Sequence, residues 1–377
     1  MEVKKEISHK EAQKSQKTLL CLLCLFVAIL PAWAQRPPVA EDVFKNVQVL
    51  KGIPVDEFMN TMGVFSAALG MSCEDCHASN DANWANYALD TSPRKRVARR
   101  MAQMVATINK DNFNGRQMVT CWTCHRGSNS PKITPNLDTL YTMMADPDDL
   151  VTQGKNVPSA DEIFDRYIQA IGGAERVGRL TSFVEKGTSV GYGPEGTPRS
   201  VEIYAKAPGQ RTTIIHTSNG DNITAFDGRT GWMAVPLKPV PVMQLSGTIL
   251  EGVKLDAELS FPARIKQLLT KWRVGFSTTI NDRDVQVVQG TGAGGALATL
   301  YFDSETGLLV RFLRYSESVV GRTPTQIDYS DYRDVGGIKM PFKWTVGWLD
   351  GKENFEVTDI QTNIAIDSAK FEKPNQN

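Results

Sequence analysis

The residues of this chain that could do chemistry are concentrated in two short stretches, Cys73-Glu74-Asp75-Cys76-His77 and Cys121-Trp122-Thr123-Cys124-His125. Each reads C-x-x-C-H. Two thiols three residues apart face one haem from a single helical turn, and the histidine that follows can turn a ring nitrogen onto the iron. A C-x-x-C pair in an exported protein also suits a disulfide or a redox couple, and two pairs suit a four-cysteine zinc site. Neither alternative requires a histidine directly after the second cysteine, and both copies have one. The motifs therefore predict two covalently bound haem c groups, attached at Cys73, Cys76, Cys121 and Cys124, with His77 and His125 on the irons.

A low-spin haem needs a sixth ligand, and histidine is scarce. The chain has four. His9 precedes the mature chain, two are used in the motifs, and His216 lies far downstream in a strand-like stretch. Bis-histidine ligation of two haems within one chain is thereby nearly excluded, which leaves methionine, a ligand that raises the reduction potential. Phe58, Met62, Phe65 and Leu69 recur at helical spacing before Gly70, with Asp56 and Glu57 placed in the first turn, where carboxylates suit the helix dipole. Met62 is the candidate for the first iron and Met59 its competitor. A second unit repeats the plan: Ser92 as cap, Pro93 at the first helical position, then Val97, Met101, Met104 and Ile108 on one face. Met101 is favoured for the second iron, with Met104 close behind. A methionine on an apolar helix face is more often plain core.

The elements that must carry these units follow from composition. Lys-rich residues 1–17, an apolar run over Thr18–Leu30 and Ala32-Trp33-Ala34 read as a secretory signal peptide over residues 1–34. The run is shorter than the roughly 20 residues a spanning helix needs. Cys21 and Cys24 fall inside it, so every cysteine of the mature chain belongs to a motif. The whole chain has 42 basic and 42 acidic groups, a balance that excludes a nucleic-acid partner. Arg94, Lys95, Arg96, Arg99 and Arg100 crowd a helix start, against the dipole. They read equally as a solvated face or as partners for haem propionates and acidic proteins.

These residues carry a resemblance. Thr61-Met62 with Cys73 eleven residues on, Val97-Ala98-Arg99-Arg100-Met101, Met104, Ile108-Asn109 and Val119 to Gly127 resemble the cytochrome subunit bound to photosynthetic reaction centres, over residues 40 to about 130. The resemblance implies a helix–turn–C-x-x-C-H unit for each haem, with a helix methionine as sixth ligand. It also implies electron donation to a membrane-bound partner. That family has four haem units and this chain has two, similar to the C-terminal pair. The family's last haem takes a histidine from the half this chain lacks, so the second iron here has Met101, Met104 or an open position.

Beyond a Pro-, Asp- and Asn-rich linker (131–157) the pattern changes. Ser159 with Glu162 forms a capping box before a short helix. Alternating segments then follow, punctuated by Asn219-Gly220, Asp227-Gly228, Thr306-Gly307 and Asp350-Gly351, with one helix expected over Pro262–Trp272. Residues 158–377 thus predict an α+β domain with a large curved antiparallel sheet, an open barrel. Tyr301 to Leu308 and Phe226 to Trp232 resemble, more weakly, outer-membrane lipoprotein carrier proteins, which implies a lipid or lipoprotein partner. The fold class expected is multidomain, a mainly α dihaem domain (35–130) followed by this β-rich domain. The function expected is a periplasmic, membrane-associated electron carrier rather than an enzyme. A haem peroxidase with one open iron, or a lipid carrier with a haem sensor or docking module, are the alternatives.

Overall fold

The computed structural model describes residues 37–77, 84–134, 151–191, 196–292 and 295–375. The stretch read as a signal peptide and residues 135–150 of the expected linker lie outside them.

The helical part begins with α1 (Ala40–Val43) and α2 (Val55–Leu69). The helix expected over Ala40–Leu50 stops at Val43, because Asn46 and Leu50 adopt positive φ and turn the chain. Helix α2 starts after Pro54, holds Asp56 and Glu57 in its first turn, and ends at Gly70 with φ +63. The first motif forms a single turn, α3 (Cys73–Cys76), closed by a Ser72/Asp75 capping box. Helix α4 (Pro93–Phe113) has Pro93 at its start and ends at Asn114 in the left-handed region, while Ser92 makes no side-chain cap bond. The second motif is α5 (Cys121–His125), with a Thr120/Thr123 capping box.

The β-rich part follows α6 (Ala160–Ala170), whose Ser159/Glu162 capping box is formed, and α7 (Ala174–Gly178). Its first strands are β1 (Ser182–Gly191), β2 (Arg199–Lys206), β3 (Gln210–Thr217), β4 (Gly220–Phe226), β5 (Gly231–Ala234) and β6 (Val242–Gln244). Helix α8 (Gly247–Leu259) intervenes. Then come β7 (Lys271–Val274), β8 (Thr278–Ile280), β9 (Arg283–Thr291), β10 (Leu297–Asp303), β11 (Leu309–Ser318), β12 (Gly321–Val335), β13 (Ile338–Trp348) and β14 (Gly351–Thr362).

These strands form one 14-stranded sheet in the order β6-β5-β4-β3-β2-β1-β14-β13-β12-β11-β10-β9-β7, with β8 on β9. Two meanders run outward from the antiparallel β1–β14 pair, and β6 and β7 do not meet, so the sheet stays open. The helix expected over Pro262–Trp272 is a 3-10 segment that ends at Gln267. Trp272 is instead drawn into β7 by pairing with Gly290.

The main core lies between the sheet and its helices. Phe164 and Tyr167 of α6 pack on Phe302, and Phe312, Leu300 and Ile203 are fully covered. Together the described residues from Pro38 onward form one compact unit. The helical part docks on the β11–β12 turn: Asn60 donates to the Thr323 hydroxyl (3.1 Å), Gln117 to the Ser318 carbonyl (2.7 Å) and the Cys121 amide to the Val320 carbonyl (3.4 Å).

The concave face of the sheet, with α2 and α8, encloses a cavity of about 880 Å³. Glu185 in its wall is 4% exposed. Burial pushes its carboxyl up to about 7, against the pull of Arg211. The folded protein therefore keeps a proton on Glu185 that the unfolded chain releases above about 4.5. That contribution to stability is full at low pH and is lost as pH rises through the folded value. Urea unfolding at pH 5 and pH 7.5 should show the wild type losing roughly 2 kcal/mol of stability from this group. Glu185→Gln should remove that loss; an unchanged pH dependence would count against the assignment.

Candidate haem centres

In the first centre Cys73 is exposed and Cys76 half-buried, and burial raises the Cys76 thiol above its ordinary pKa. The His77 Nδ1 lies 3.0 Å from the Tyr87 carbonyl, and the ring stacks on that of Tyr87 at 4.6 Å and 19°. A carbonyl only accepts, so Nδ1 carries the hydrogen and Nε2 keeps its lone pair, the form a haem iron takes. Burial, reinforced by Lys95 and Arg99, lowers the His77 pKa and holds the ring neutral. The Trp84–Ala88 turn that supplies Tyr87 is tied to the sheet part by Trp84, which donates to the Leu237 carbonyl at 2.8 Å.

The second centre repeats the chemistry with a different partner. The His125 Nδ1 donates to the Ser128 carbonyl at 2.9 Å, again leaving Nε2 for a metal. Cys121 is buried, its thiol pushed up to about 11, while Cys124 is exposed. The loop before this motif hangs on Asn109, buried in α4. Its amide donates to the Val119 carbonyl (2.7 Å), and its carbonyl oxygen accepts from the Met118 and Val119 amides (3.0 and 2.9 Å).

Each motif packs against the helix of the other unit, α5 on α2 and α3 on α4. The Gly127 amide donates to the Ala68 carbonyl at 2.9 Å. At Gly70 a Cβ would sit 2.5 Å from the Gly127 carbonyl oxygen, so that approach needs glycine. Among the described residues no three histidine, cysteine or carboxylate side chains converge on a shared metal position.

The methionines separate by face. Met59 turns into the sheet cavity with Asp56, Asn60 and Gly63. Met62 stays on the other stripe with Phe58, Phe65 and Leu69, all half-buried. On α4 the covered face is Ala102, Val105 and Asn109. Met101 is half-buried, whereas Met104, expected to point inward, is 44% exposed and Val97 43%. His216 makes a 2.7 Å contact with Asp221 across the β3–β4 turn, a local surface pair.

The basic cluster divides. Arg94 reaches Asp75, and Arg99 grips Asp90 with two bonds (2.9 and 2.8 Å), holding that carboxylate well below its usual range. Lys95 donates to the Tyr87 and Leu89 carbonyls. Arg96 and Arg100 instead line an open cleft of about 550 Å³ with Gln48 and Gln103. Half-buried apolar stripes, paired thiols and histidines with Nδ1 already committed form a donor set that fits haem c. Tyr87 and Ser128 act through backbone carbonyls, which no residue type announces; Asn109 belongs to the Ile108-Asn109 stretch that carries the resemblance, but its hold on the loop appears only in the fold.

Residues 8–164 match the family model described as the photosynthetic reaction centre cytochrome C subunit. The chain is 39% identical over 110 residues to the photosynthetic reaction center cytochrome c subunit of Thermochromatium tepidum, covering 28% of this chain and 26% of that protein. It is 36% identical over 104 residues to cytochrome c-554 of Chloroflexus aurantiacus, covering 26% of this chain and 23% of that one. The resemblance read from the motifs stands. The chain spans about a quarter of the length of the curated relatives it matches. Among solved structures, a LolA superfamily protein from Nitrosomonas europaea is similar over 58% of this chain and 99% of that one, with 14% identity and a TM-score of 0.39. The likeness is too slight to bear on function.

Replacing Asn109 by alanine removes three hydrogen bonds and leaves two amides and a carbonyl without their partner. The expected cost is about 2–4 kcal/mol, read as a lower urea midpoint, and it should be accompanied by incomplete haem loading at Cys121 and Cys124 by intact mass. A variant with wild-type stability and full loading would show that the loop is held by other means.

Proposed function

We propose that this chain is an exported dihaem c-type cytochrome that passes single electrons to a membrane-bound partner. The observation that carries this reading is the shared state of the two motif histidines: each has Nδ1 spent on a backbone carbonyl and Nε2 left over. Bound haem c would supply a one-electron iron couple, raised in potential by His/Met ligation. Cys73 and Cys76 would hold one haem and Cys121 and Cys124 the other, with His77 and His125 offering Nε2 to the irons. Met62 would take the sixth position of the first iron, a reading helped by Met59 facing the cavity. Met101, the better covered of the two methionines on its stripe, would take that of the second.

The partner is proposed from the relatives, which are named as reaction centre subunits. The periplasmic, membrane-associated location rests on the leader-like N-terminus and on the same names. No described helix is long and apolar enough to cross a membrane. Arg96 and Arg100 offer an acidic partner a basic rim beside the second helix. Carriage of a lipid or lipoprotein is a second reading for the β-rich part, favoured by its large apolar-walled cavity.

A redox titration followed by visible spectra, with a pyridine haemochrome count, tests the proposal. Two low-spin haems per chain are expected. Met62→His should keep the first haem low-spin and lower its potential by roughly 0.1–0.3 V, within the ~0.8 V span that axial ligands cover. An unchanged potential and spectrum would remove Met62 from the ligand set.

A further inference from the structure

Inside the sheet cavity the charges are matched in pairs, and Arg211 stands outside the pairing. Arg199 meets Glu353 at 2.6 Å and Arg314 meets Asp256 at 2.7 Å. Asp56 accepts from the Ser246 amide and hydroxyl, so its charge sits at the N-terminus of α8, where the helix dipole favours an anion. Arg211 faces the same space from β3 and is half-buried. Among the described residues its bond is to a neutral group, the Ser260 hydroxyl at 2.7 Å, which leaves most of the five guanidinium donors unspent. Lys238 and Lys339 against Asp350, all exposed, add a positive balance at the rim.

Glu185 is the other unsatisfied group. It lines the cavity from β1, with Ile203 of β2 as its partner, while Ala205, two residues on, pairs with Arg211. The side chain is buried and has no hydrogen-bond partner among the described residues. Burial keeps a proton on the carboxyl up to about 7. Below that pH Glu185 is a hydrogen donor and not a counter-ion, so Arg211 stays unmatched.

A desolvated cation is costly until an anion reaches it. A carboxylate does so with two parallel charge-assisted bonds to a guanidinium, and protonated Glu185 can donate to the same group. An uncharged head would leave Arg211 unmatched, and a cationic one would add to its charge. The remaining wall is apolar, with Phe183, Ile203, Ile215, Trp344 and Phe355. At about 880 Å³ the space lies within the roughly 300–1,000 Å³ of pockets that enclose one small ligand, which suits a single chain. We propose that the cavity binds a free fatty acid, its chain on the apolar wall and its carboxylate held between Arg211 and Glu185. This deepens the lipid reading of the β-rich part and rests on it; it draws nothing from the haem centres.

The test is calorimetric titration of the full-length protein at about pH 6, below the folded value for Glu185. The ligands are laurate and, as the same chain under other heads, lauryl alcohol and lauryl trimethylammonium. One laurate per chain is expected, with the other two at least tenfold weaker. Arg211→Gln should weaken laurate at least tenfold and leave the weaker binding of the alcohol unchanged, a split that general damage to the fold would not produce. Glu185→Gln stays neutral and keeps a donor, so laurate affinity should hold within about threefold. At Gly63, which lines the cavity, a Cβ meets nothing within 4 Å. Gly63→Leu should therefore leave the thermal midpoint level or higher and weaken laurate at least tenfold. Full laurate affinity in Arg211→Gln or Gly63→Leu would overturn the proposal. So would tenfold tighter laurate in Glu185→Gln, which would mean that an ionised Glu185 already answers Arg211. An alcohol that binds as tightly as laurate would overturn the carboxylate and leave the lipid reading standing, whereas no saturable uptake of any of the three would overturn both.

Discussion

Helix α2 has three neighbours to satisfy with fifteen residues, and the surrounding structure is arranged to meet that constraint. Val64 and Ala68 press on the second motif through Cys121, and Val320 of the sheet joins the same cluster. Asp56, Met59, Asn60 and Gly63 close the cavity. The stripe of Phe58, Met62, Phe65 and Leu69 is half-buried, with Phe58 stacked on Phe44 and Phe65 against the Val64 cluster. A helix has room for only about three such stripes, so none of these faces can be polar in the ordinary solvated sense, and Asp56, 4% exposed, needs a partner. It finds one in Ser246, at the start of α8, which fixes that helix against α2. Burial still raises the Asp56 pKa in spite of those bonds, so the junction is desolvated rather than merely hydrogen-bonded.

The same trade recurs in the cavity wall. Buried ion pairs add little net stability because desolvation offsets their attraction, yet removing one member leaves an expensive lone charge. The Arg199–Glu353 and Arg314–Asp256 pairs therefore act as matched insertions into an apolar face, tolerated because each is complete. Glu185 is the exception, and its raised pKa is the physical mark of an incomplete set. Period-two alternation alone would have put an apolar residue at that position, between Phe183 and the bulge at Lys186/Gly187.

Much of this was legible in the residues. Capping boxes at Ser159/Glu162 and the turn dipeptides gave correct element ends because their chemistry is local. Strand β1 is not legible in the sequence because Glu185, Lys186, Gly187 and Ser189 break the apolar alternation, and the short strands β6, β7 and β8 have too few residues to show a period. Helix α8 was missed for a tertiary reason: its cap residue Ser246 makes no cap bond of its own and turns to Asp56, which lies far away in sequence. The motif residues could be read from spacing, but the choice of Met62 over Met59 depends on which side of α2 meets the sheet. On α4 the apolar stripe misled. Small Ala102 and polar Asn109 form the covered face, while Val97 and Met104 are left outside it.

The change of chemistry near residue 130 is sharp, but packing across it is continuous, and the reason is the size of the helical core. The buried cluster of the helical part contains Val64, Ala68 and Cys121, and it is completed by Val320 from the β11–β12 turn. At about 25 cal/mol per Å² of apolar surface, so few small side chains cannot offset the entropy of ordering two helices and two motif turns. The sheet has no such need, since α6 and α8 cover a core of its own. The dependence therefore runs one way. The turn at Ser318–Gly321, carrying Val320 and accepting from Cys121 and Gln117, is the point at which the larger part lends stability to the smaller. Gly321 fits there because its Cα faces Val64 and Thr120 closely enough that even a Cβ would crowd Val64, at 3.2 Å. The register of the second motif is thus set by a hairpin two hundred residues downstream, and the two C-x-x-C-H units of the first third of the chain are built on the packing of the last two thirds.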